Sequence, residues 1–600
     1  MDYDCRLDGD EIHCTITPDR DLVAPVFCFS GMAPMTATLG GQRVGGLGSF
    51  TEIALPDLKA GEPHDVTIVY THGYRPANRA WMPLGPYLRI RSGLISLTVK
   101  DLGCRAHALP NLGEFEGLAV VPQPSEWEPS VGVCTLPQQQ TESTCEDDAL
   151  CAVSALAQRR GLRWFDDGQG VTVEHADLPP DAYVLCITHD AITLRAGDYG
   201  GRIYGGITLL QLLQVGDIPC GTITDAPRFD WRGQHLDTAR HFYQPQTILD
   251  LLDLMALLKL NRFHWHFADD EAFRLQIDCY PELWQKTEIC GEGHLLPALF
   301  AGAIEAGGSY SKVDVAAIIT HAKSLNIEVL PEIEVPAHAI ALTHVFPDLR
   351  DPADNGAEVS VQGYLGNAVN PAMPKTWEVL EAIAAEVGAL FPFGHLHLGC
   401  DELPEGTWMG SPKARALMET EGLDTTDDLQ GWMMERLARI VAQNGQRPCA
   451  WEEAAKGSNG GIGNGAILFS WTGQGAGVAA AKQGYEIVMT PGQNVYLDMA
   501  HSDDADDWGA SWAAFIPLSE TVNWDPVPDP SITDRVIGVQ GTFWSEFTTS
   551  DEQMWPMVLP RMAGVSVMAW QEDRIEEDAF LRLVTATTWM MDSFGVAYVT

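Results

Sequence analysis

Acidic and aromatic side chains follow several short apolar runs in the second half of the chain. In HLHLGCDELPEGTW, an apolar run ends in the adjacent carboxylates Asp401 and Glu402. Two ionised carboxylates this close repel each other, which raises the pKa of one and suits it to donate a proton. Acidic residues also favour a helix N-terminus, so the pair has an ordinary structural explanation as well.

Other apolar runs end in residues of the same types. These are Asp237, Arg240, Asp269, Asp270, Glu332, Glu334, His338, Trp451, Glu452, Glu453, Trp471, Tyr496, Asp498, Trp544 and Glu546. Carboxylates bind hydroxyl groups and transfer protons, and tryptophan stacks on the apolar face of a pyranose ring. Any one tryptophan could simply fill the core, but three at successive run ends favour a sugar pocket.

The apolar runs themselves predict strands that alternate with amphipathic helices. The eight predicted strands begin at Trp231, Arg262, Ile327, His395, Arg447, Ala466, Tyr485 and Val536. Helices lie between several of them, as where Pro245 opens PQTILDLLDLMALLKL. The pattern predicts an α/β fold with a (β/α)8 barrel, whose active site lies at the carboxyl ends of the strands. A doubly wound sheet is the lesser alternative, because no G-x-G-x-x-G follows a strand.

Two smaller domains are predicted before the barrel. Residues 1–122 contain short β-rich runs such as VTIVY between Gly, Pro and Asn clusters, which is typical of an all-β module of unknown function. Residues 123–225 combine a helix-like DDALCAVSALAQR with three strand-like runs and an apolar helix, which predicts a small α+β domain. The barrel then occupies residues 226–600.

Composition restricts the partners and the compartment. The 600 residues carry a formal charge of −45, and such a field repels nucleic acid and anionic membrane surfaces. The acidic N-terminus lacks the pattern of a secretory signal, and no run of about 18 apolar residues predicts a membrane span. The thirteen cysteines form no C-x-x-C pair, which favours free thiols. We expect a cytoplasmic protein that acts on a small substrate, and homo-oligomerisation stays open.

The chain resembles the β-N-acetylhexosaminidases of glycoside hydrolase family 20. Eight motifs carry the resemblance in order and at compatible spacing: PRFDWRG, LDTARHF, NRFHWHFADDE, VLPEIEVPAH, HLHLGCDE, AWEE, NVYLDM and GTFWSE. The α+β region resembles the small domain that precedes the barrel in this family, including GGRIYGGITLLQLL. The resemblance implies exo-action on terminal N-acetylglucosamine, or on N-acetylgalactosamine, in chito-oligosaccharides or related glycans, with retention of configuration and no cofactor or metal.

The resemblance also implies residue roles. In the family, the substrate's own acetamido oxygen attacks the anomeric carbon. Asp401 matches the aspartate that orients this group and stabilises the oxazolinium ion, and Glu402 matches the general acid/base. Tyr496 matches the tyrosine that hydrogen-bonds the acetamido carbonyl. The substrate-binding positions that match are Arg240, Asp269, His338, Trp451, Trp471, Asp498, Trp544 and Glu546, of which Asp269 and His338 orient the catalytic pair.

Some residues depart from the family pattern. Cys400 replaces a glycine before the catalytic aspartate and is expected to introduce thiol sensitivity. Ala337 replaces the glycine of Pro-Gly-His, and Glu271-Ala272-Phe273 replaces Gln-Gly-Trp. Asp498, followed by Met499, disfavours an anionic sugar by like-charge repulsion, so a neutral N-acetylglucosaminide is expected.

Three alternatives remain open from the sequence. His264-x-His266 and His395-x-His397 could provide ligands of a metal-dependent hydrolase. The pocket could belong to a sugar-binding protein that has lost the reaction. Finally, Glu332 or Glu546 could act as an enzyme nucleophile with Glu402 as the acid.

Overall fold

The computed structural model describes residues 1–98, 109, 112–135, 138–139, 147–165, 171–354 and 359–596. The N-terminal part is an all-β domain of two antiparallel sheets, in the orders β1-β2-β7-β4 and β5-β6-β3-β8-β9. Its strands are β1 (Asp2–Asp8), β2 (Glu11–Thr17), β3 (Val26–Ser30), β4 (Met35–Leu39), β5 (Gln42–Leu47), β6 (Phe50–Ala54), β7 (His64–Tyr70), β8 (Leu84–Ile90) and β9 (Gly93–Ser96).

Alternation of side chains explains this core. In β2, Ile12, Cys14 and Ile16 are buried while their neighbours are more exposed, as expected for a strand with one face on the core. They pack with Ile68 from the neighbouring strand β7 and with Phe27 from the other sheet. The all-β character predicted for this region is therefore confirmed.

The middle part is an α+β domain. Its strands are β10 (Glu126–Val133), β11 (Gln138–Gln139), β12 (Trp164–Phe165), β13 (Val171–His175), β14 (Tyr183–Ile187), β15 (Ile192–Ala196) and β16 (Pro219–Asp225). The main sheet has the order β10-β16-β14-β15-β13. Its helices are α1 (Asp148–Arg159) and α2 (Tyr199–Val215). Helix α2 starts earlier than its apolar run because the Asp198 side chain caps it, accepting the Gly201 N–H over 2.8 Å.

The remaining strands belong to the barrel and its loops. They are β17 (Trp231–Asp237), β18 (Arg262–His266), β19 (Ala268–Asp269), β20 (Ala272–Phe273), β21 (Ile289–Gly291), β22 (Glu305–Gly307), β23 (Glu328–Glu332), β24 (His395–His397), β25 (Arg447–Trp451), β26 (Ile467–Ser470), β27 (Glu486–Met489) and β28 (Val536–Gly541). Parallel strands β17, β18 and β23–β28 close into a barrel, with β28 pairing back to β17. The eight predicted strands are confirmed, and the doubly wound alternative is wrong.

Helices surround the barrel. They are α3 (Pro245–Leu257), α4 (Pro281–Thr287), α5 (Lys312–Ser324), α6 (Ile340–Val345), α7 (Pro374–Leu390), α8 (Pro412–Glu421), α9 (Thr426–Gln443), α10 (Gln474–Lys482), α11 (Gly492–Val495), α12 (Trp555–Val558), α13 (Met562–Trp570), α14 (Glu577–Ala586) and α15 (Trp589–Ser593). Within the described ranges, none of the helices has both the length and the apolar character that crossing a membrane requires. Because the barrel strands are parallel, their carboxyl ends meet at one rim.

Candidate active site

A cavity of about 240 Å³ lies at this rim. Eight of the eleven predicted site residues line it: Arg240, His338, Asp401, Glu402, Trp471, Tyr496, Trp544 and Glu546. The remaining lining residues are Met32, Phe300, Gln362, Tyr364, Ala510, Trp512 and Phe547. The fold therefore brings acid/base groups and aromatic faces into one concave site.

A left-handed turn after β24 presents the carboxylate pair. Gly399, Cys400 and Glu402 have φ of 65°, 85° and 51°. A Cβ atom on Gly399 would lie 1.8 Å from Glu334 Oε1, so only glycine fits beside that carboxyl. The Cys400 N–H donates to Glu334 Oε1 over 3.1 Å and holds the turn in place.

The expected thiol sensitivity does not follow from the placement of Cys400. Its side chain is fully buried and its Sγ lies 2.9 Å from Gln430 Nε2. Burial raises the pKa of the Cys400 thiol, which disfavours the reactive thiolate form. Burial also keeps dissolved reagents away from the sulfur atom.

Glu402 is held by two neighbours. Tyr364 donates from its hydroxyl to Glu402 Oε2 over 2.6 Å, and His338 Nε2 lies 3.3 Å from the same oxygen. Burial alone would raise the pKa of Glu402, but these contacts and the Arg240 charge lower it overall.

Asp401 is the member of the pair whose pKa is raised. The cause is burial, with further contributions from the charges of Glu402 and Glu332. Burial and then the Asp401 charge raise the pKa of Glu334 well above its usual range. Glu334 Oε2 and Asp401 Oδ1 have no other hydrogen-bond partner among the described residues, so a proton shared between these two carboxyls satisfies both.

A buried chain of hydrogen bonds continues beneath the rim. His338 Nδ1 lies 3.1 Å from Asp269 Oδ1, and His266 Nε2 lies 3.0 Å from Asp269 Oδ2. His266 Nδ1 in turn lies 2.5 Å from Glu332 Oε2. Although burial opposes it, these carboxylates raise the pKa of His266 to about 10. Asp269 therefore lies behind the lining residues and orients His338 toward Glu402.

Arg240 lines the cavity at the centre of an acidic cluster. Its guanidinium lies 2.7 Å from Asp269, 3.1 Å from Glu271 and 3.4 Å from Asp237. Burial, with nearby carboxylates adding to it, raises the pKa of Glu271 to about 8 and that of Glu546 to about 7. One arginine cannot compensate all of these carboxyls, so some remain protonated near neutral pH.

Aromatic rings form the opposite walls. The rings of Trp471 and Tyr496 stack at 6.4 Å with an interplanar angle of 16°. Trp512 meets both rings edge-on at 5.9 and 5.8 Å, and Trp544 lies 6.4 Å from Tyr496. Flat apolar surfaces in this arrangement suit the methyl group and ring face of an N-acetylated sugar.

Trp451 and Asp498 lie behind this lining. Trp451 is fully buried and packs against Trp544 with ring centroids 5.9 Å apart. Asp498 is buried, and burial followed by the Glu546 charge raises its pKa well above the usual range. Asp498 therefore carries little charge, and repulsion of anionic sugars rests instead on the other carboxyls of the cavity.

The histidine pairs do not form an open metal site at the cavity. His264 Nε2 and His397 Nδ1 lie 3.1 and 2.7 Å from Glu332, inside the barrel and fully buried. His395 is separate and stacks on Phe393 at 4.1 Å. A catalytic metal needs a coordination position open to substrate, which a buried cluster below the lining does not offer. Glu332 is equally inaccessible, so it cannot be the nucleophile.

Several lining residues were missed from the sequence. Met32 lies outside the barrel, and Gln362 and Tyr364 lie about 30 residues after the end of β23, so nothing in their local pattern marks them. Trp512 left a usable signal in the sequence, because it follows Tyr496 closely; in the structure its side chain is 56% exposed. An exposed tryptophan near a predicted sugar site is a candidate stacking residue.

Comparison with known proteins agrees with this geometry. The model of glycosyl hydrolase family 20, catalytic domain, matches residues 229–573, and that of family 20, domain 2, matches residues 117–226. Beta-hexosaminidase of Vibrio furnissii is 34% identical over 400 residues, which are 65% of this chain and 65% of that protein. N,N'-diacetylchitobiase of Vibrio harveyi is 28% identical over 508 residues, which are 68% of this chain and 57% of that protein. The chain thus spans less than two thirds of both relatives.

Solved structures of family 20 enzymes also match this chain. The family 20 exo β-N-acetylglucosaminidase from Vibrio harveyi, in complex with N-acetylglucosamine, matches with a TM-score of 0.87 and 25% identity, covering 100% of this chain and 99% of that one. The family 20 β-N-acetylhexosaminidase from Streptomyces coelicolor matches with a TM-score of 0.68 and 25% identity, covering 81% and 98%. Since the family model covers more than half of the sequence, the chain belongs to glycosyl hydrolase family 20.

Proposed function

We propose that this chain is an exo-acting, retaining β-N-acetylhexosaminidase that removes terminal non-reducing N-acetylglucosamine from chito-oligosaccharides or related glycans. The observation that carries the proposal is the adjacent pair Asp401 and Glu402 on one wall of a cavity lined also by Tyr496. The names of the relatives, which include hexosaminidases and a chitobiase, support the same class of substrate.

Adjacency of the two carboxyls favours assistance by the substrate. Retaining glycosidases that use an enzyme nucleophile place two carboxyls about 5–5.5 Å apart on opposite sides of the sugar. In the proposed reaction the acetamido oxygen attacks the anomeric carbon while the glycosidic bond breaks. Glu402 gives its proton to the leaving oxygen, Asp401 accepts the acetamido N–H, and Tyr496 donates to the acetamido oxygen. Water, deprotonated by Glu402, then attacks the anomeric carbon and regenerates the acetamide.

His338, next to Glu402, can supply the proton that Glu402 needs as the general acid. The charge of Asp269 keeps the pKa of His338 well above its usual range despite burial, and His338 Nε2 lies 3.3 Å from Glu402. His338 and Glu402 therefore hold one proton between them before substrate binds. A sugar that displaces water from Glu402 disfavours its ionised form, so the proton moves to Glu402.

Two polar residues of the cavity support exo-action. Arg240 and Glu546 both line the cavity, and the Arg240 guanidinium lies 5.3 Å from the centre of the Trp544 ring. The Arg240 guanidinium and the Glu546 carboxyl can hydrogen-bond the free hydroxyls of a terminal sugar. A chain that continued past this sugar would meet these side chains instead of solvent.

Release of p-nitrophenol tests the proposal. We expect the wild-type chain to cleave the β-N-acetylglucosaminide much faster than the matching β-glucoside with a chelator present, and Glu402→Gln to lose this activity. Glu405→Gln, the same change at an exposed neighbouring position, serves as the matched control. Comparable turnover of the glucoside would instead favour an enzyme nucleophile such as Glu546, and binding without turnover would favour a sugar-binding relative.

A further inference from the structure

The N-terminal β domain reaches the cavity itself. Met32, in the connection between β3 and β4, lines the cavity with the residues of the barrel. Its side chain packs where three apolar clusters meet: the barrel core, the core of the β domain, and the cluster around Phe300 that joins the two. Among the described residues, all other lining side chains come from Arg240 onward.

Hydrogen bonds attach the β domain to two barrel loops that line the cavity. Ser30 Oγ donates to the Leu299 carbonyl over 3.2 Å, next to Phe300. Ser49 donates to the Val361 carbonyl from both its Oγ and its N–H, over 3.0 and 3.3 Å. Each bond ends one residue before a lining side chain.

A third loop is held in the same way. Asn78 Nδ2 donates to the Gly509 carbonyl over 3.1 Å, and Arg79 Nε donates to the Asp506 carbonyl over 2.8 Å. This loop continues to Trp512, which stands beside the proposed acetamido pocket. The β domain therefore holds the three loops at backbone atoms, independently of their side chains.

The backbones of the two domains also approach closely. A Cβ atom on Gly48 would lie 2.4 Å from the Ser360 carbonyl oxygen, and one on Gly85 would lie 2.2 Å from the Ala303 amide nitrogen. No side chain fits between these segments, so their relative position is fixed by direct backbone packing.

The segment held by Ser49 contains several residues other than glycine with left-handed backbone. Its left-handed residues are Ser360, Val361, Gln362, Tyr364 and Leu365, with φ between 44° and 54°. Left-handed backbone outside glycine is costly and persists only where surrounding contacts impose it. Here the contacts include the bonds from Ser49 of the β domain and the hydrogen bond from Ser360 Oγ to Asp270 of the barrel, and the segment places Tyr364 against Glu402.

We propose that the β domain builds the leaving-group side of the active site and that Met32 is a specificity-determining residue there. This inference rests on the proposed function. Glu402 must reach the leaving oxygen, so the group attached to that oxygen lies beside Tyr364 and Gln362. Met32 and Phe300 offer an apolar surface and Gln362 an amide, which together suit the ring face and hydroxyls of a second neutral sugar.

The test compares two substrates that differ only in the leaving group. Chitobiose places a whole sugar against the Met32 surface, whereas the β-fluoride of N-acetylglucosamine places a single atom there. We expect Met32→Ala to lower the ratio of kcat/KM for chitobiose to that for the fluoride roughly five- to tenfold, mainly through KM. Met32→Leu, which keeps an apolar side chain, should hold the ratio within about twofold.

Matched variants separate the outcomes. Leu39→Ala alters an exposed side chain of the same domain and should leave both activities unchanged. Met32→Gln, unbranched and of similar length, replaces Met32→Ala if the latter does not fold, and should lower the ratio in the same direction. An active wild type whose ratio is unchanged by either variant overturns this inference alone. A wild type that turns over neither substrate overturns the proposed function and this inference with it.

Discussion

Tyr364 donates a hydrogen bond of 2.6 Å from its hydroxyl to Oε2 of Glu402, although 38 residues separate the two in the chain. The bond stabilises the ionised form of Glu402, and His338 acts on the same oxygen in the same direction. The proposed acid/base is thus tuned from a loop that no barrel strand positions directly.

Tyr364→Phe should therefore raise the pKa of Glu402. A hydrogen bond to a charged group contributes about 1.5 kcal/mol, or roughly one pKa unit. The alkaline limb of kcat, where Glu402 loses its proton in the substrate complex, should shift up by about 0.5 to 1 unit. The measurement is a pH profile on the aryl N-acetylglucosaminide, with Tyr74→Phe at an exposed position as control. An alkaline limb that stays in place would mean that another group limits the reaction at high pH.

The barrel could be predicted from the sequence because its signals are local. Apolar runs such as RFHWHF end at turn residues, and β18 forms within this run at Arg262–His266. Asp401 and Glu402 could be found for the same reason, since the end of a parallel strand places them at the rim. The direction of the Glu402 pKa could not be found, because it depends on His338 and Tyr364, which reach it from other loops.

Tyr364 and Met32 illustrate what local signals cannot reveal. The backbone of the Tyr364 segment is held in part by Ser49, which lies 312 residues from Val361 in the chain. Met32 belongs to a domain that is separate in the sequence and reaches the cavity through packing against the barrel core and the cluster around Phe300. Contacts between distant segments decide both placements, and periodicity carries no information about them.

Asp253→Asn should weaken the contact between the α+β domain and the barrel. Asp253 on α3 is buried and lies 2.7 Å from Arg159, 2.8 Å from Arg160 and 2.9 Å from His321. Burial opposes ionisation, but these partners lower the Asp253 pKa to about 2. The asparagine variant should lose roughly 2–4 kcal/mol of unfolding free energy at pH 7.

The unfolding free energy lost in Asp253→Asn should become smaller as the pH is lowered. Asp253 has a lower pKa in the folded state, so its contribution is complete above about pH 4 and disappears as the pH falls through about 2. Urea unfolding of wild type and variant at pH 7, 5 and 3 measures this, with Asp534→Asn as an exposed control. Equal destabilisation at all three pH values would point to lost packing instead of lost charge.

Glu271→Gln should stabilise the chain. Folded Glu271 keeps its proton up to about pH 8, mainly because of burial, whereas the unfolded chain loses it near 4.5. Between these values the unfolded state binds fewer protons, so wild-type stability falls as the pH rises. The variant should gain roughly 3 kcal/mol at pH 7 and little at pH 5. Urea unfolding at both values, with the exposed change Glu419→Gln alongside, checks this; an advantage that does not grow with pH would contradict it.

We expect protonated Glu334 to donate a hydrogen bond to Asp401. Glutamine, which is neutral and has the same shape, should therefore be able to take the place of Glu334. Its pKa is raised well above the usual range by burial and by the Asp401 charge, and it also accepts the Cys400 N–H. In Glu334→Gln the amide still donates to Asp401, and kcat/KM should fall less than about tenfold. In Glu334→Ala the Asp401 carboxylate and the turn lose their partner, and the fall should reach roughly 10²–10³, as for other transition-state donors. Steady-state kinetics on the aryl N-acetylglucosaminide measures kcat/KM for the glutamine and alanine variants. Thermal unfolding confirms that both variants fold. If the glutamine variant is as impaired as the alanine variant, Glu334 acts as a carboxylate and the proton lies elsewhere.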